Sequence, residues 1–211
     1  EETKKCISTD DKPHLLVFKN TSQIKRICEE NNWHLLNPDP TLGNHIEEKI
    51  TQLTFLPELQ SLFPPYTVTT LSELAWNNEP TVLQFNHSHT GSGTKLITSN
   101  EELEALKNQF PNRDVRVAPY IDGPLFTNNN SVTPDTTLVG NISYQITGLP
   151  PFTDNPFATI GNDWALPHQL LNEEERKEYV AIATRVGSAL RDHGWKGLFG
   201  IDVIQDKNTR R

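Results

Sequence analysis

Methionine is absent from all 211 residues, and cysteine occurs only at Cys6 and Cys28. Those two cysteines have no metal-ligand or redox spacing, so zinc and disulfide scaffolds are not expected. A reducing, cytoplasmic compartment is expected instead. No apolar run approaches the ~20 residues that a bilayer-spanning helix needs, which argues against a membrane partner. No cluster of lysine or arginine stands out against a net charge of −8, which disfavours nucleic acid as the main partner. No cleavable leader is visible, although the first residue is Glu1 and not methionine. The chain closes on Asp206 and the polar residues after it, where a strand is expected to turn. Together with the missing methionine, this leads to the expectation of a piece of a longer protein.

What is present fits a globular chain with one large domain or two small ones, 22% charged and 35% hydrophobic. Its most informative stretch is 80–98, PTVLQFNHSHTGSGTKLIT. The β-branched and apolar run Thr81–Phe85 and the run from Lys95 to Thr98 read as two strands around a loop with Gly91, Ser92 and Gly93. Such a loop can turn several backbone N–H groups onto a phosphate, because glycine takes positive φ and offers no Cβ to block approach. An ordinary glycine-containing hairpin fits the same residues.

The remaining chain reads in order as follows. A strand over 14–18, a helix over 21–32 and a strand over 33–36 suggest a parallel α/β unit. A helix is predicted over 43–53, carrying Glu47, Glu48 and Lys49. Pro57, Pro64 and Pro65 then mark a crossing between domains. Ser99 and Glu102 form a capping box for a helix ending before Pro111. The segment 115–121, VRVAPYI, alternates like a strand made irregular or peripheral by Pro119. Residues 128–130 read as loop, 138–146 as strand, and 148–167 as a long proline-containing loop. Asn172 and Glu175 cap the clearest helix, whose stripe is Tyr179, Ile182, Ala183, Val186 and Leu190, with Gly194 as its terminator. The run 195–204, WKGLFGIDVI, reads as a buried strand with one carboxylate.

That carboxylate, Asp202, shares a strand face with Leu198, Gly200 and Ile204. It fits a hard oxygen ligand for Mg²⁺, which takes one or two carboxylates plus substrate phosphates. A salt-bridged structural Asp fits the same position. Lys49 fits either a phosphate contact or a solvated surface lysine. His87 and His89 have no third ligand near them in sequence and do not make a zinc site. Asn162, Asp163 and Trp164, within the long loop, are candidates for substrate contact, or for a turn with a buried Trp.

In order, these pieces resemble the ATP-grasp superfamily over about 43–205. The carriers are Lys49 before the crossing, the glycine hairpin 80–98, the hinge Tyr120-Ile121-Asp122-Gly123, and GWKGLFGIDVI after a long helix. The resemblance implies an α+β fold of two lobes (66–121 and 122–211) gripping ATP, preceded by the tail of an α/β domain (1–65). It implies ATP contacts from Lys49, Gln84, His89, Thr90, Gly91, Ser92, Gly93, Thr94, Tyr120 and Ile121, with Mg²⁺ on Asp202. It further implies a ligase that activates a small carboxylate as an acyl phosphate, and it allows a homo-oligomer. A kinase on the same fold is an alternative. Gln84 stands where the family usually has a second lysine, and Ala118 where it often has an acid. The usual Glu-x-Asn strand would follow Arg211. These departures keep open a nucleotide-binding regulatory domain without turnover.

Overall fold

A computed structural model of the chain describes residues 12–86 and 93–210. The chain begins with a small unit in which β1 (His14–Leu15) pairs in parallel with β2 (His34–Leu35) across α1 (Ser22–Glu30). Thr21 accepts a hydrogen bond from the Ile24 N–H and so fixes where α1 starts. Asn37 is buried and joins this unit to the chain end of β1, accepting from Val17 N at 2.8 Å and donating to Val17 O at 2.7 Å.

The helix expected over 43–53 is two helices, α2 (Pro40–Glu47) and α3 (Thr51–Phe55). Asp39 caps the first, and the backbone leaves the helical region at Glu48 (φ −74°, ψ 122°). Lys49 therefore sits in a turn and not on a helix face. A 3₁₀ segment, Pro57–Leu62, carries the chain away.

A four-stranded antiparallel sheet follows, in the order β3-β6-β4-β5. Its members are β3 (Thr67–Thr70), β4 (Thr81–Phe85), β5 (Thr94–Ile97) and β6 (Asp114–Pro119). One face is packed by α4 (Asn100–Gln109), whose Ser99–Glu102 capping box is formed in full. Leu71, Leu83, Phe85, Ile97, Leu103 and Val115 make this core. Because side chains alternate, Gln84, Arg116 and Ala118 point to the other face. The strand β6 is interior and not peripheral. Pro119 is tolerated because β3 pairs only as far as Val117, leaving no ladder bond on that side for a proline N–H to make.

The second sheet runs β10-β9-β7-β11, with β8 paired to β7. Its strands are β7 (Leu125–Val132), β8 (Thr137–Leu138), β9 (Ser143–Thr147), β10 (Thr159–Asp163) and β11 (Gly197–Ile204). Two expectations are corrected here. The single strand over 138–146 divides into β8 and β9, and the long loop 148–167 contains β10 at the sheet edge. A third correction is that Asn128, Asn129 and Asn130 lie inside β7. Asn128 and Asn130 are buried and exchange side-chain hydrogen bonds at 2.8 and 2.9 Å. Asn130 also accepts from Gly140 N at 3.2 Å, and Tyr179 donates to Asn128 at 3.4 Å. Buried amides that satisfy one another avoid the penalty of unpaired polar groups, so a strand can hold them.

The helix α6 (Glu173–Asp192) covers one face of this sheet, after the short α5 (Pro167–Leu170). Tyr179, Ala183, Gly187, Ala189 and Leu190 are buried, and Gly194 ends the helix with φ +84°. Leu190, Trp195, Phe199 and Val132 meet Leu56 and Leu59 of the crossing segment in one core. Phe126, Leu171 and Tyr179 form another against Ile201 and Val203. Gly123 lies so close to Gln205 that a Cβ would meet its carbonyl oxygen at 1.8 Å. Lys207 closes the same contact with an ion pair to Asp122.

Among the described residues no helix is long and apolar enough to cross a membrane. Cys28 is buried and free.

Candidate nucleotide site

The strand β11 alternates cleanly, but the face that carries Asp202 is the open one. Phe199, Ile201 and Val203 turn inward, while Leu198, Gly200, Asp202 and Ile204 face outward and are exposed. The expected buried carboxylate is thus accessible. The inward face was already filled by α6, so the outward face alone could hold a charge without desolvation cost. Asp202 pairs in register with Thr127, and Thr127 pairs with Ser143. A polar track therefore crosses this face of the sheet, exposed at Asp202, half-buried at Thr127 and buried at Ser143.

Lys49 reaches this region from the turn between α2 and α3. It is half-buried, and burial pushes its pKa down from the ordinary lysine value. The Asp202 carboxylate opposes that shift, the Arg116 guanidinium adds to it, and Glu47 opposes it. Lys49 is therefore within electrostatic reach of Asp202 on one sheet and Arg116 on the other. No hydrogen bond or ion pair joins it to either group among the described residues.

What holds the Lys49 turn is Asn86, at the end of β4. Its Oδ1 accepts from the N–H groups of Ile50 at 2.8 Å and Thr51 at 3.2 Å. Its Nδ2 donates to Glu48 Oε2 and Thr51 Oγ1, each at 3.2 Å. The helix α3 has no cap of its own, so a residue distant in sequence supplies it. The glycine hairpin and the lysine turn are thereby tied together at their roots.

Gln84 shares a sheet face with Arg116 and pairs in register with both Thr94 and Arg116. Its side-chain oxygen accepts a hydrogen bond from Arg116 Nη2. Burial lowers the Arg116 pKa, an effect that Tyr66 opposes. Among the described residues its Nε and Nη1 are buried without a hydrogen-bond partner, and its guanidinium lies 5.6 Å from the centre of the Phe63 ring. Arg116 went unmarked in the sequence, where VRVAPYI reads as an ordinary strand. The signal was a lone arginine on the alternating face that also carries Gln84.

The other expected residues are placed as follows. Gly93 is buried and its carbonyl accepts from Phe85 N at 2.9 Å. His87, His89, Thr90, Gly91 and Ser92 lie outside the described residues. Tyr120 and Ile121 follow β6, and Tyr120 N donates to Pro80 O at 3.0 Å. Asn162, on edge strand β10, pairs with Gln145 on the same face as Ser143 and Asp202. Asp163 points the other way, accepting from Ala165 N at 2.7 Å and Leu166 N at 2.9 Å, and so is occupied in turning the chain. Trp164 is 57% exposed, which corrects the reading of a buried Trp. Among the described residues no three His, Cys, Asp or Glu converge as a metal cluster.

No protein-family model matches this chain, and no curated protein sequence matches it significantly. Solved structures do. D-alanyl-alanine synthetase A from Vibrio cholerae superposes with a TM-score of 0.67 at 14% identity, covering 92% of this chain and 63% of that one. N5-carboxyaminoimidazole ribonucleotide synthetase from Thermotoga maritima gives 0.59 at 14% identity, covering 98% and 51%. The biotin carboxylase domain of Hydrogenobacter thermophilus 2-oxoglutarate carboxylase, solved with MgADP and bicarbonate, gives 0.59 at 16% identity, covering 88% and 42%. The fold is the ATP-grasp fold. The chain spans only part of each of these proteins, 63% at most among the three.

Proposed function

We propose that this chain is the nucleotide-binding part of an ATP- and Mg²⁺-dependent carboxylate ligase. The observation that carries the reading is the placement of Lys49 and Asp202. A cation from one turn and an accessible carboxylate from a sheet act on one another within an ATP-grasp frame. Polyphosphate recognition needs both signs: a cation on phosphate oxygen and a hard anion to hold the metal. Asp202 suits Mg²⁺ as a single carboxylate on an open polar face, because Mg²⁺ draws its remaining ligands from substrate phosphates and water. That metal supplies charge neutralisation of the phosphates when bound.

Within this reading the chain's own residues bind and orient. Lys49 neutralises phosphate charge, Asn86 fixes its position, and the residues after β6 present backbone to the base. The apolar half-buried residues of the β4–β6 face exclude water. The chemistry is phosphoryl transfer by positioning. A substrate carboxylate oxygen attacks the γ-phosphorus, the bond to the β,γ-bridging oxygen breaks, and ADP leaves. An amine then attacks the acyl carbon and inorganic phosphate departs. Asn162, on the Asp202 face, is the substrate-side residue of this proposal.

Thermal unfolding with ATP, Mg²⁺, both and neither tests it. Binding to the folded state alone raises stability by about 2.7 kcal/mol at a hundredfold excess over Kd. A shift with MgATP larger than with ATP alone is expected. No shift with any nucleotide overturns the reading. MgATP binding with no ADP released in the presence of carboxylates and amines would favour the regulatory alternative that Gln84 and Ala118 keep open.

A further inference from the structure

A second cation stands within electrostatic reach of Lys49, one strand away from position 84. Arg116 on β6 lies directly opposite Gln84 on β4. One guanidinium nitrogen is bonded to the Gln84 side chain, while Nε and Nη1 are buried with no acceptor among the described residues. Buried donors of a charged group are nearly always satisfied, so three nitrogens with one partner call for a missing acceptor. The carboxylates that act on Lys49 are Asp202 and Glu47. Glu47 is itself paired to Lys19 at 2.5 Å. No carboxylate is bonded to Arg116 among the described residues. The Arg116 charge also helps to push the Lys49 pKa down, after burial as the larger cause. Two under-compensated cations in a chain of net charge −8 mark a place built for an anion and not a chance of composition.

We propose that Arg116 is a phosphate-binding residue of this cleft, acting with Lys49 as a two-cation clamp on a phosphoanhydride, with Gln84 as the positioning residue that aims it. The proposal rests on the nucleotide reading above and deepens it by naming the cation that position 84 does not provide. A guanidinium presents two parallel N–H donors to a phosphate, which an ammonium cannot do. The Gln84 amide oxygen holds Nη2 and leaves Nε and Nη1 to the phosphate, and the guanidinium lies 5.6 Å from the centre of the Phe63 ring. The glutamine is thus not a lost lysine but half of a transposed one.

The test is calorimetric titration of the protein with pyrophosphate, ATP and adenosine, each with and without Mg²⁺. The variants are Arg116→Met, Arg116→Lys and the double Gln84→Lys/Arg116→Met. Arg116→Met keeps the stem that packs on Phe63. It should weaken pyrophosphate and ATP on the order of 10–100-fold, as expected for one charged hydrogen-bonding group, and leave adenosine unchanged. Arg116→Lys should recover part of the loss. The double variant should recover part as well, by returning a cation to the paired position. Without ligand, Arg116→Met should melt at or above the wild type, since an unpaired buried charge is gone. A folded Arg116→Met that binds pyrophosphate and ATP as the wild type does overturns the clamp. So does a variant that melts well below the wild type or fails to fold, which would mark a structural arginine. The two readings separate in the ligand arms. Pyrophosphate binding that depends on Arg116, without any ATP binding, keeps the clamp and removes the nucleotide. ATP binding indifferent to Arg116 does the converse.

Discussion

The side chain of Asn86 accepts a hydrogen bond from the backbone N–H of Ile50 at 2.8 Å, and through it the root of the glycine hairpin holds the turn that carries Lys49. Asn86→Ala strips that cap and leaves the N–H groups of Ile50 and Thr51 without their partner. A loss of about 1–2 kcal/mol in urea unfolding is expected, in the range of lost helix caps. ATP affinity should fall as well, because Lys49 loses its fixed position. Unchanged ATP affinity in a destabilised Asn86→Ala would confine the residue to a structural role.

Asp202 is exposed on the open face of β11, so its replacement by Asn should leave stability within about 0.5 kcal/mol. Any turnover should drop by ~10²–10³-fold, the scale of one lost electrostatic contact in a transition state. Mg²⁺-dependent enhancement of ATP binding should disappear with it. Chemical denaturation beside an ADP-release assay separates these effects. A strongly destabilised Asp202→Asn that keeps full activity per folded molecule counts against the metal-ligand role.

Glu175 supplies an acid limb to stability. Arg210, which donates to it at 2.6 and 2.7 Å, together with the Asn172 N–H, holds its pKa down from 4.5 to about 2. A carboxylate depressed in the folded state contributes stability that is complete above its unfolded pKa and is lost as pH falls through its folded pKa. The melting temperature should therefore decline from about pH 5 towards pH 2, and Glu175→Gln should flatten that decline. A variant with the same acid slope as the wild type would remove Glu175 from the explanation.

Gly187 faces Thr137, where an added Cβ would meet the threonine side chain at 2.3 to 2.9 Å. Alanine normally gains about 1 kcal/mol over glycine inside a helix. Here overpacking should cost about 1–3 kcal/mol, since a β-branched residue cannot swing aside. Gly187→Ala is therefore expected to lower the denaturation midpoint. Thr137→Ser should relieve the crowding in the double variant, and a stabilised Gly187→Ala would refute the close contact.

The long helix α6, the helix α4 and the β4–β5 hairpin could be read from sequence because each announces itself locally. Asn172 with Glu175 and Ser99 with Glu102 close capping boxes within four residues, and the strand residues are β-branched and apolar. What escaped reading depends on partners far along the chain. The break at Glu48 is held by Asn86. The asparagines of β7 form a strand only because Asn128 and Asn130 satisfy one another and Gly140. The open side of Asp202 is decided by which face α6 covers, and alternation alone assigns the two faces without saying which one is buried. Arg116 becomes conspicuous only when its cross-strand neighbour is known to be Gln84.

Among the described residues β11 hydrogen-bonds to β7 alone, leaving the opposite side of an eight-residue strand without a ladder. Prepared as an isolated chain, that side is an adhesive seam. It has no proline, a single charge at Asp202, and Leu198 and Ile204 projecting at 52% and 44% exposure. Strand edges of this kind recruit one another into sheets that cross from molecule to molecule. Light scattering should rise with concentration, and Leu198→Lys should suppress the rise, so the colloidal behaviour of a preparation would report directly on whether that seam is covered.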